Sequence, residues 1–194
     1  MGRPPKFTED QFLDAALHLI AEGGPDAATV GGVGEALGAP VGSVYHRFSS
    51  REELLAKLWL RTARRFQEGF VAALAAEEPD AAAVGAALHA LRWPRLHLDE
   101  ARVLLLYRRE DLSTRWPADL SEQVAAVNAE GFDLLREHTL RRYGRAGEQD
   151  VRRVVFAIVD IPYAAGRRHL LAGEAPPEFL DELVADACLN ALKR

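Results

Sequence analysis

The chain is poor in sulfur and in cations, and it has no long apolar run. Its single cysteine, Cys188, excludes an intramolecular disulfide framework and a thiolate zinc cluster among its 194 residues. No stretch approaches the ~18 consecutive apolar residues that a membrane-spanning helix needs. The opening Met-Gly-Arg-Pro-Pro-Lys is followed by no apolar segment of the secretory kind. A cytoplasmic location without membrane contact is therefore expected. Lys and Arg number 24 against 29 Asp and Glu, for a net charge of -5, which argues against indiscriminate binding to nucleic acid. The first 51 residues are no exception. Their cations are Arg3, Lys6, Arg47 and Arg51, against Glu9, Asp10, Asp14, Glu22, Asp26 and Glu35.

Catalytic signatures are missing as well. There is no Gly-rich phosphate loop, no His-Glu-x-x-His and no Gly-x-Ser-x-Gly. The histidines, His18, His46, His89, His97, His138 and His169, are scattered. His89 and His97 flank Trp93-Pro94 and could meet over a metal, although surface or hydrogen-bonded core histidines are the ordinary reading. Glu52-Glu53 and Glu77-Glu78 read as exposed helix ends, not as a general acid and base. The chain is expected to be no enzyme and to need no metal or other cofactor.

Apolar residues make up 48% of the chain, enough for a sizeable core in one large domain or two small ones. Their spacing is helical throughout, and no convincing stretch alternates with the period of a strand. An all-α fold of about nine helices is expected. Thr8-Glu9-Asp10-Gln11 is a capping box opening a first helix, with Phe12, Ala15, Ala16, Leu19 and Ile20 on one face and Gly23-Gly24 at its end. Thr29 caps a second helix held by Val30, Val33, Ala36 and Leu37. Its glycines, Gly31, Gly32 and Gly34, suit close approach either to a neighbouring helix or to a phosphate backbone. Ser50-Arg51-Glu52-Glu53 is a second capping box, opening a long helix to about Ala76 with Arg61, Arg64 and Arg65 on its solvated side. Further helices are expected over about 80–92, 99–111, 117–143, 148–171 and 177–193, with breaks at Glu77-Glu78-Pro79 and Trp93-Pro94.

Between the second helix and the long one lies Gly-Ala-Pro-Val-Gly-Ser-Val-Tyr-His-Arg-Phe, residues 38–48. It is too short and polar for a core helix. A short helix, a tight Gly-containing turn and another short helix form a helix-turn-helix, whose second helix lies in the DNA major groove. A helix from about Pro40 to Arg47 turns Val44 and Phe48 inward and Val41, Ser43 and His46 outward. Gly42 leaves its surface flat. Val41 suits a thymine methyl, and Ser43 either partner of a base pair. The segment Gly2–Lys6, with two cations, is either a minor-groove arm or a frayed terminus.

Thr29-Val30, Ala36, Gly38, Gly42, Val44-Tyr45, Phe48 and Arg51-Glu52-x-Leu54-Leu55 resemble the DNA-binding signature of the TetR-type (TetR/AcrR) transcriptional regulators. Pro40 stands where that family usually has a capping Ser or Thr. The resemblance implies a head at 1–49 and a ligand-binding and dimerisation domain at 50–194. It also implies double-stranded operator DNA, a small-molecule effector and a second copy of the chain as partners. It places Tyr45, Arg47 and Arg51 on phosphates and brings Thr29, Val41, Gly42, Ser43 and His46 to the same surface. Tyr45 as a half-buried packing residue is the competing reading. The alternative for the whole chain is an all-α small-molecule-binding or interaction protein without operator binding.

An effector site needs apolar walls with a few polar groups. Trp59, Phe66, Phe70, Trp93, Tyr107, Trp116, Phe132, Phe156 and Tyr163 supply walls, and Asn128 and Asp160 supply polar groups. Pro162 takes the helical partner of the Ile158 carbonyl away, and a kink is expected there. For a dimer, Val151, Val154, Val155 and Ile158 give one apolar stripe. Phe179, Leu180, Leu183, Val184, Ala187, Cys188 and Leu192 give another, suited to a four-helix bundle between two copies.

Overall fold

The computed structural model describes residues 7–106 and 116–193. Among them every regular element is helical, and no helix is long and apolar enough to cross a membrane. Tyr107 and the Gly2–Lys6 arm lie outside the described residues.

Helix α1 (Glu9–Gly23) opens with the expected capping box: the Thr8 hydroxyl accepts from the Gln11 N–H, and the Gln11 side chain accepts from the Thr8 N–H. It ends at Gly24, whose φ of 79° with ψ of -178° is open to glycine alone. A 3₁₀ turn (Pro25–Ala27) leads to α2 (Val30–Leu37), capped by the Thr29 hydroxyl on the Gly32 N–H at 3.0 Å. Gly38 then turns left-handed, with φ 60°. Two glycines of α2 have a packing reason: a Cβ on Gly34 would lie 3.1 Å from the Ala39 carbonyl oxygen and 3.5 Å from Val44, across the turn, and one on Gly32 would lie 3.1 Å from the capping Thr29 hydroxyl. A Cβ on Gly31 would meet nothing within 4 Å. Ala36, expected inside, is exposed, and Ala39 is buried in its place. Helix α3 (Val41–Tyr45) follows, then α4 (Arg51–Leu74). The Phe12 and Phe48 rings meet edge-on at 6.1 Å, and Val33, Val44, Leu54 and Leu58 are fully buried in the same cluster. The expected domain division at residue 49 thus falls just before a helix whose first turns complete the core of the head.

The second capping box is offset. Ser50 accepts from the Glu53 N–H, but the Glu53 carboxylate turns to the Ser49 N–H at 2.6 Å and the Ser49 hydroxyl at 2.7 Å. Arg61 is not solvated as expected. Its side chain is 13% exposed and bridges to Asp10 at 3.2 Å and Asp14 at 2.7 Å, while Lys57 reaches Glu9 at 3.2 Å. These pairs bind α4 to α1.

Helix α5 (Pro79–Leu96) is capped by Glu78, not Asp80, and runs through Pro94 where a break was expected. Tertiary contacts carry it past the proline. Trp93 and Pro94 are buried, and Arg95 donates to the carbonyls of Pro176 and Pro177 and to both oxygens of Asp181. Helix α6 (Leu98–Leu106) starts one residue before Asp99, the expected cap. Helix α7 (Ala118–Tyr143) closes on the left-handed Gly144. Helix α8 (Glu148–Val155) passes through a π-helical turn (Phe156–Asp160) into α9 (Ile161–Leu171), and α10 (Leu180–Leu192) ends the fold.

The π turn answers the proline. Pro162 has no N–H, and the Ile161 N–H reaches back five residues to the Phe156 carbonyl. Helical structure therefore runs unbroken over 148–171. Behind it lies a second buried cluster. Ala83, Ala86 and Ala87 of α5 sit between Phe70 and Leu74 of α4 and Leu180, Val184, Cys188 and Leu192 of α10.

Candidate functional site

The turn between α2 and α3 is fixed by backbone hydrogen bonds: the Ala39 N–H donates to the Gly34 carbonyl at 2.8 Å and the Ser43 N–H to the Pro40 carbonyl at 2.8 Å. Pro40 is the N-cap of α3 and supplies no side-chain cap. Val44 and Phe48 are fully buried beneath the helix. On its other side Val41 is 46% and Tyr45 57% exposed; Gly42 and His46 are exposed and Ser43 is half-buried. A Cβ on Gly42 would meet nothing within 4 Å, so the fold does not require glycine there and the flat surface faces outward. Thr29, at the start of α2, is exposed, its hydroxyl engaged as the cap. All eight expected DNA contacts are thus exposed or half-buried, and six of them, Thr29, Val41, Gly42, Ser43, Tyr45 and His46, lie on α3, at its C-cap or at the start of α2.

The two cations are placed differently. Arg47 donates to the Phe7 carbonyl at 3.1 Å. Arg51 donates to the carbonyls of Ala28 at 2.8 Å and Pro25 at 2.5 Å, with Asp26 3.7 Å away. A cation in the first turn of α4 opposes the helix dipole. The carbonyls ahead of α2 explain its presence there without a phosphate.

Farther along α4 the aromatic side chains form two groups. Trp59 meets Trp116 edge-on at 6.0 Å. Phe66 stacks with Phe70 at 6.0 Å and meets Trp93 of α5 edge-on at 5.5 Å. The histidines near them are used by the protein itself. His89 lies 5.0 Å from the Phe66 ring, with Nε2 2.9 Å from the Phe66 carbonyl, and burial lowers its pKa. His97 stacks on Trp93 at 4.9 Å and sits 3.0 Å from Glu100, which Arg65 also pairs at 2.7 Å.

The other expected effector residues do not join these groups. Phe132 is 51% and Tyr163 55% exposed, and Asp160 is exposed. Ala157 and Ile158 take the inward positions, so Phe156, Val159, Asp160 and Tyr163 turn outward. Phe132, Phe156 and Asp160 line an open groove of about 690 Å³ between α7 and α8, with Arg136 and Arg152 on its walls. Asn128 is half-buried on α7. Among the described residues, Phe132, Phe156, Asp160 and Tyr163 thus lie apart from the groups around Trp59 and Phe66.

The dimer stripes need the same correction. Val151, Val154 and Ile158 are buried against the subunit's own core, as are Leu180, Val184, Cys188 and Leu192. The outward apolar residues of these helices are Phe156, Val159, Tyr163, Phe179 and Leu183.

Besides Arg61 Nε, whose guanidinium is otherwise held by Asp10 and Asp14, sequence reading missed three groups whose polar atoms are buried without a partner: Trp59 Nε1, Thr62 Oγ1 and His138 Nε2. His138 lies near the end of α7, where Arg141 donates to its Nδ1 at 3.4 Å. Burial first, and then Arg141 and Arg142, push its pKa down to about 4. All three positions follow apolar spacing, so their side chains read as ordinary core. Unpaired atoms show only in three dimensions.

Residues 12–58 match the family model described as bacterial regulatory proteins, tetR family. No curated protein matches the chain by sequence. Solved structures match over nearly all of it. A bacterial regulatory protein of the tetR family from Rhodococcus RHA1 aligns at TM-score 0.73 and 15% identity, covering 95% of this chain and 96% of that one. The fatty acid degradation regulator FadR from Bacillus halodurans aligns at 0.68 and 18% identity, covering 99% and 97%. The ketosteroid transcriptional regulator KstR2 of Mycobacterium tuberculosis aligns at 0.68 and 16%, covering 97% and 94%. Residues 12–58 thus belong to the tetR family of bacterial regulatory proteins, and the whole chain has the fold of regulators in that family.

Proposed function

We propose that the protein is a transcriptional repressor that binds a palindromic operator as a dimer and is released by a small, largely apolar effector. One observation carries the reading: α3 stands on a fully buried Val44–Phe48 footing and presents Val41, Gly42, Ser43, Tyr45 and His46 away from the core. Val41, Ser43 and His46 read base edges; Tyr45 reaches a phosphate. Arg47 and Arg51 act indirectly, by holding Phe7 and the loop ahead of α2 in place. The test is titration of a fluorescent duplex from the gene's own promoter, with a random duplex as control. Ser43→Ala and His46→Ala should each reduce the preference for promoter over random DNA by about tenfold. Equal binding of the two duplexes by the parent protein would refute operator recognition.

A single helix-turn-helix is small, and two-fold dimers read half-sites about one turn, ~34 Å, or multiples apart. Phe156, Val159 and Tyr163 with Phe179 and Leu183 are the surface we assign to the partner copy. For the effector, the aromatic groups around Trp59 and Phe66 support an apolar ligand. The similar regulators named for fatty acid degradation and ketosteroids accord with that class.

A second reading is an all-α ligand-binding or interaction protein that no longer binds an operator. The commitment of Arg47 and Arg51 to the protein's own carbonyls favours it. The same promoter titration separates the two.

A further inference from the structure

The effector reading leaves the chemistry of the ligand open, and α4 narrows it. Trp59 and Thr62 are three residues apart, so they lie one above the other on the same side of the helix. Trp59 is 8% exposed and Thr62 is fully buried. Neither Trp59 Nε1 nor Thr62 Oγ1 has a hydrogen-bond partner. Buried polar groups without partners are uncommon in folded proteins, and two on adjacent turns of one helix face call for a cause. A threonine inside a helix ordinarily bonds the carbonyl four residues back; the Thr62 hydroxyl does not.

The surroundings define what would pair with them. On one side of Thr62 is the Trp59–Trp116 contact and on the other the Phe66–Trp93 contact. Seven residues of helix separate Trp59 from Phe66, about 10 Å, the length of a small aromatic molecule. Val103, Leu120, Val124 and Val127 belong to the same buried cluster as Trp59. Indole nitrogen donates and cannot accept, and hydroxyl can donate beside it. The partner is therefore an acceptor oxygen. A charged oxygen is disfavoured, because Arg65, one turn beyond Thr62, is already neutralised by Glu100.

Building on the effector reading, we propose that the Trp59 indole N–H and the Thr62 hydroxyl jointly receive the oxygen of a neutral, mostly apolar ligand, of the ketone or ether kind, that parts Trp116 from Trp59.

The test uses the full-length protein, with Thr62→Val, which keeps the shape and removes the donor, and Trp59→Phe, which removes the donor together with part of the buried ring. Without ligand, Thr62→Val should melt at or above the parent temperature, because it deletes an unpaired buried group, while Trp59→Phe should melt lower through lost packing and is read by its ligand preference alone. Benzylacetone, a neutral ketone, is the probe; butylbenzene lacks the oxygen and phenylbutyrate carries a charge. In isothermal titration the parent should prefer benzylacetone to both comparators, and each variant should bind it about tenfold more weakly. Melting of Thr62→Val several degrees below the parent would mean that the hydroxyl has a partner inside the fold, and would overturn the proposal. So would equal affinity of the parent for benzylacetone and butylbenzene, or equal affinity of parent and variants for benzylacetone. Promoter binding is measured on the same samples without probe. A parent that prefers benzylacetone yet ignores promoter DNA sinks the regulator reading and leaves the ligand site standing, and the reverse result does the opposite.

Discussion

At the scale of single residues, Arg51 shows how one side chain can be legible in kind and not in role. Its place in the first turn of α4 marks it as unusual, and a nearby acceptor is the physical expectation. The acceptors turn out to be the Ala28 and Pro25 carbonyls, 23 and 26 residues upstream, a distance that sequence spacing does not register. Arg51→Ala should therefore lower stability by about 2 kcal/mol, the worth of charged hydrogen bonds in a half-buried place, as read by urea denaturation. The salt dependence of promoter binding should keep its slope, whereas loss of a true phosphate contact would lower it by about one unit. Cys188 makes a simpler case. Burial, and then the nearby Asp80 carboxylate, push its thiol up to about 11, and nucleophilic sulfur is thiolate. Labelling by iodoacetamide at pH 8 should be at least ~100-fold slower in the native protein than in urea.

Among the elements, helices whose ends carry their own chemistry were readable: Thr8 with Gln11, Thr29 before α2 and Gly144 after α7 lie where local rules put them. The errors lie where a distant part of the chain overrules a local signal. Trp93-Pro94 reads as a break, but Arg95 clamps the end of α5 to Pro176, Pro177 and Asp181. Phe132, Phe156, Asp160 and Tyr163 stand apart from the other effector candidates for a related reason. Aromatic identity says nothing of which side of a helix faces in, and at 156–163 the large residues face out. Packing of α4 on α5 depends on one absence that sequence does not flag: a Cβ on Gly69 would lie 2.3 Å from the His89 ring. Gly69→Ala should cost about 1–3 kcal/mol through overpacking. Adding His89→Ala should recover part of that loss, and a double-mutant cycle in urea denaturation measures the coupling.

For the molecule as a whole, pH enters through His138. Its imidazole is 1% exposed and its pKa falls from 6.5 to about 4 on folding. The folded state thus resists protonation that the unfolded state accepts. Stability is unaffected above pH 6.5, declines as pH falls from about 6.5 to about 4, and levels off below for this group, a loss of about 3 kcal/mol in all. Asp181 adds in the same direction. Burial alone would raise its carboxyl, but hydrogen bonds from Arg95 and Arg92 outweigh that and hold it below the ordinary range, so acid weakens the α5–α10 clasp. His138→Leu should flatten the decline between pH 6.5 and 4 in a series of urea melts. Leu183, 57% exposed on α10, tests the proposed assembly: the parent should sediment as a dimer at micromolar concentration and Leu183→Arg as a monomer, with helicity kept.

The π turn at Phe156–Asp160 is in effect a one-residue insertion preserved inside a helix. The buried positions on either side of it, Val154, Ile158, Pro162 and Gly166, recur every four residues. A regular helix turns 100° per residue, so a strict four-residue repeat drifts by about 40° at each step and soon leaves its groove. The wider turn absorbs that drift and keeps a single seam facing α5. Loss of one residue, Val159 for example, would let the helix relax to regular winding with Pro162 and Gly166 still on the seam, whereas regular winding with every residue kept would swing everything downstream by about 100°. The phase of this helix, more than the identity of any side chain on it, decides which residues face α5 and which are left to the surface assigned to a second copy.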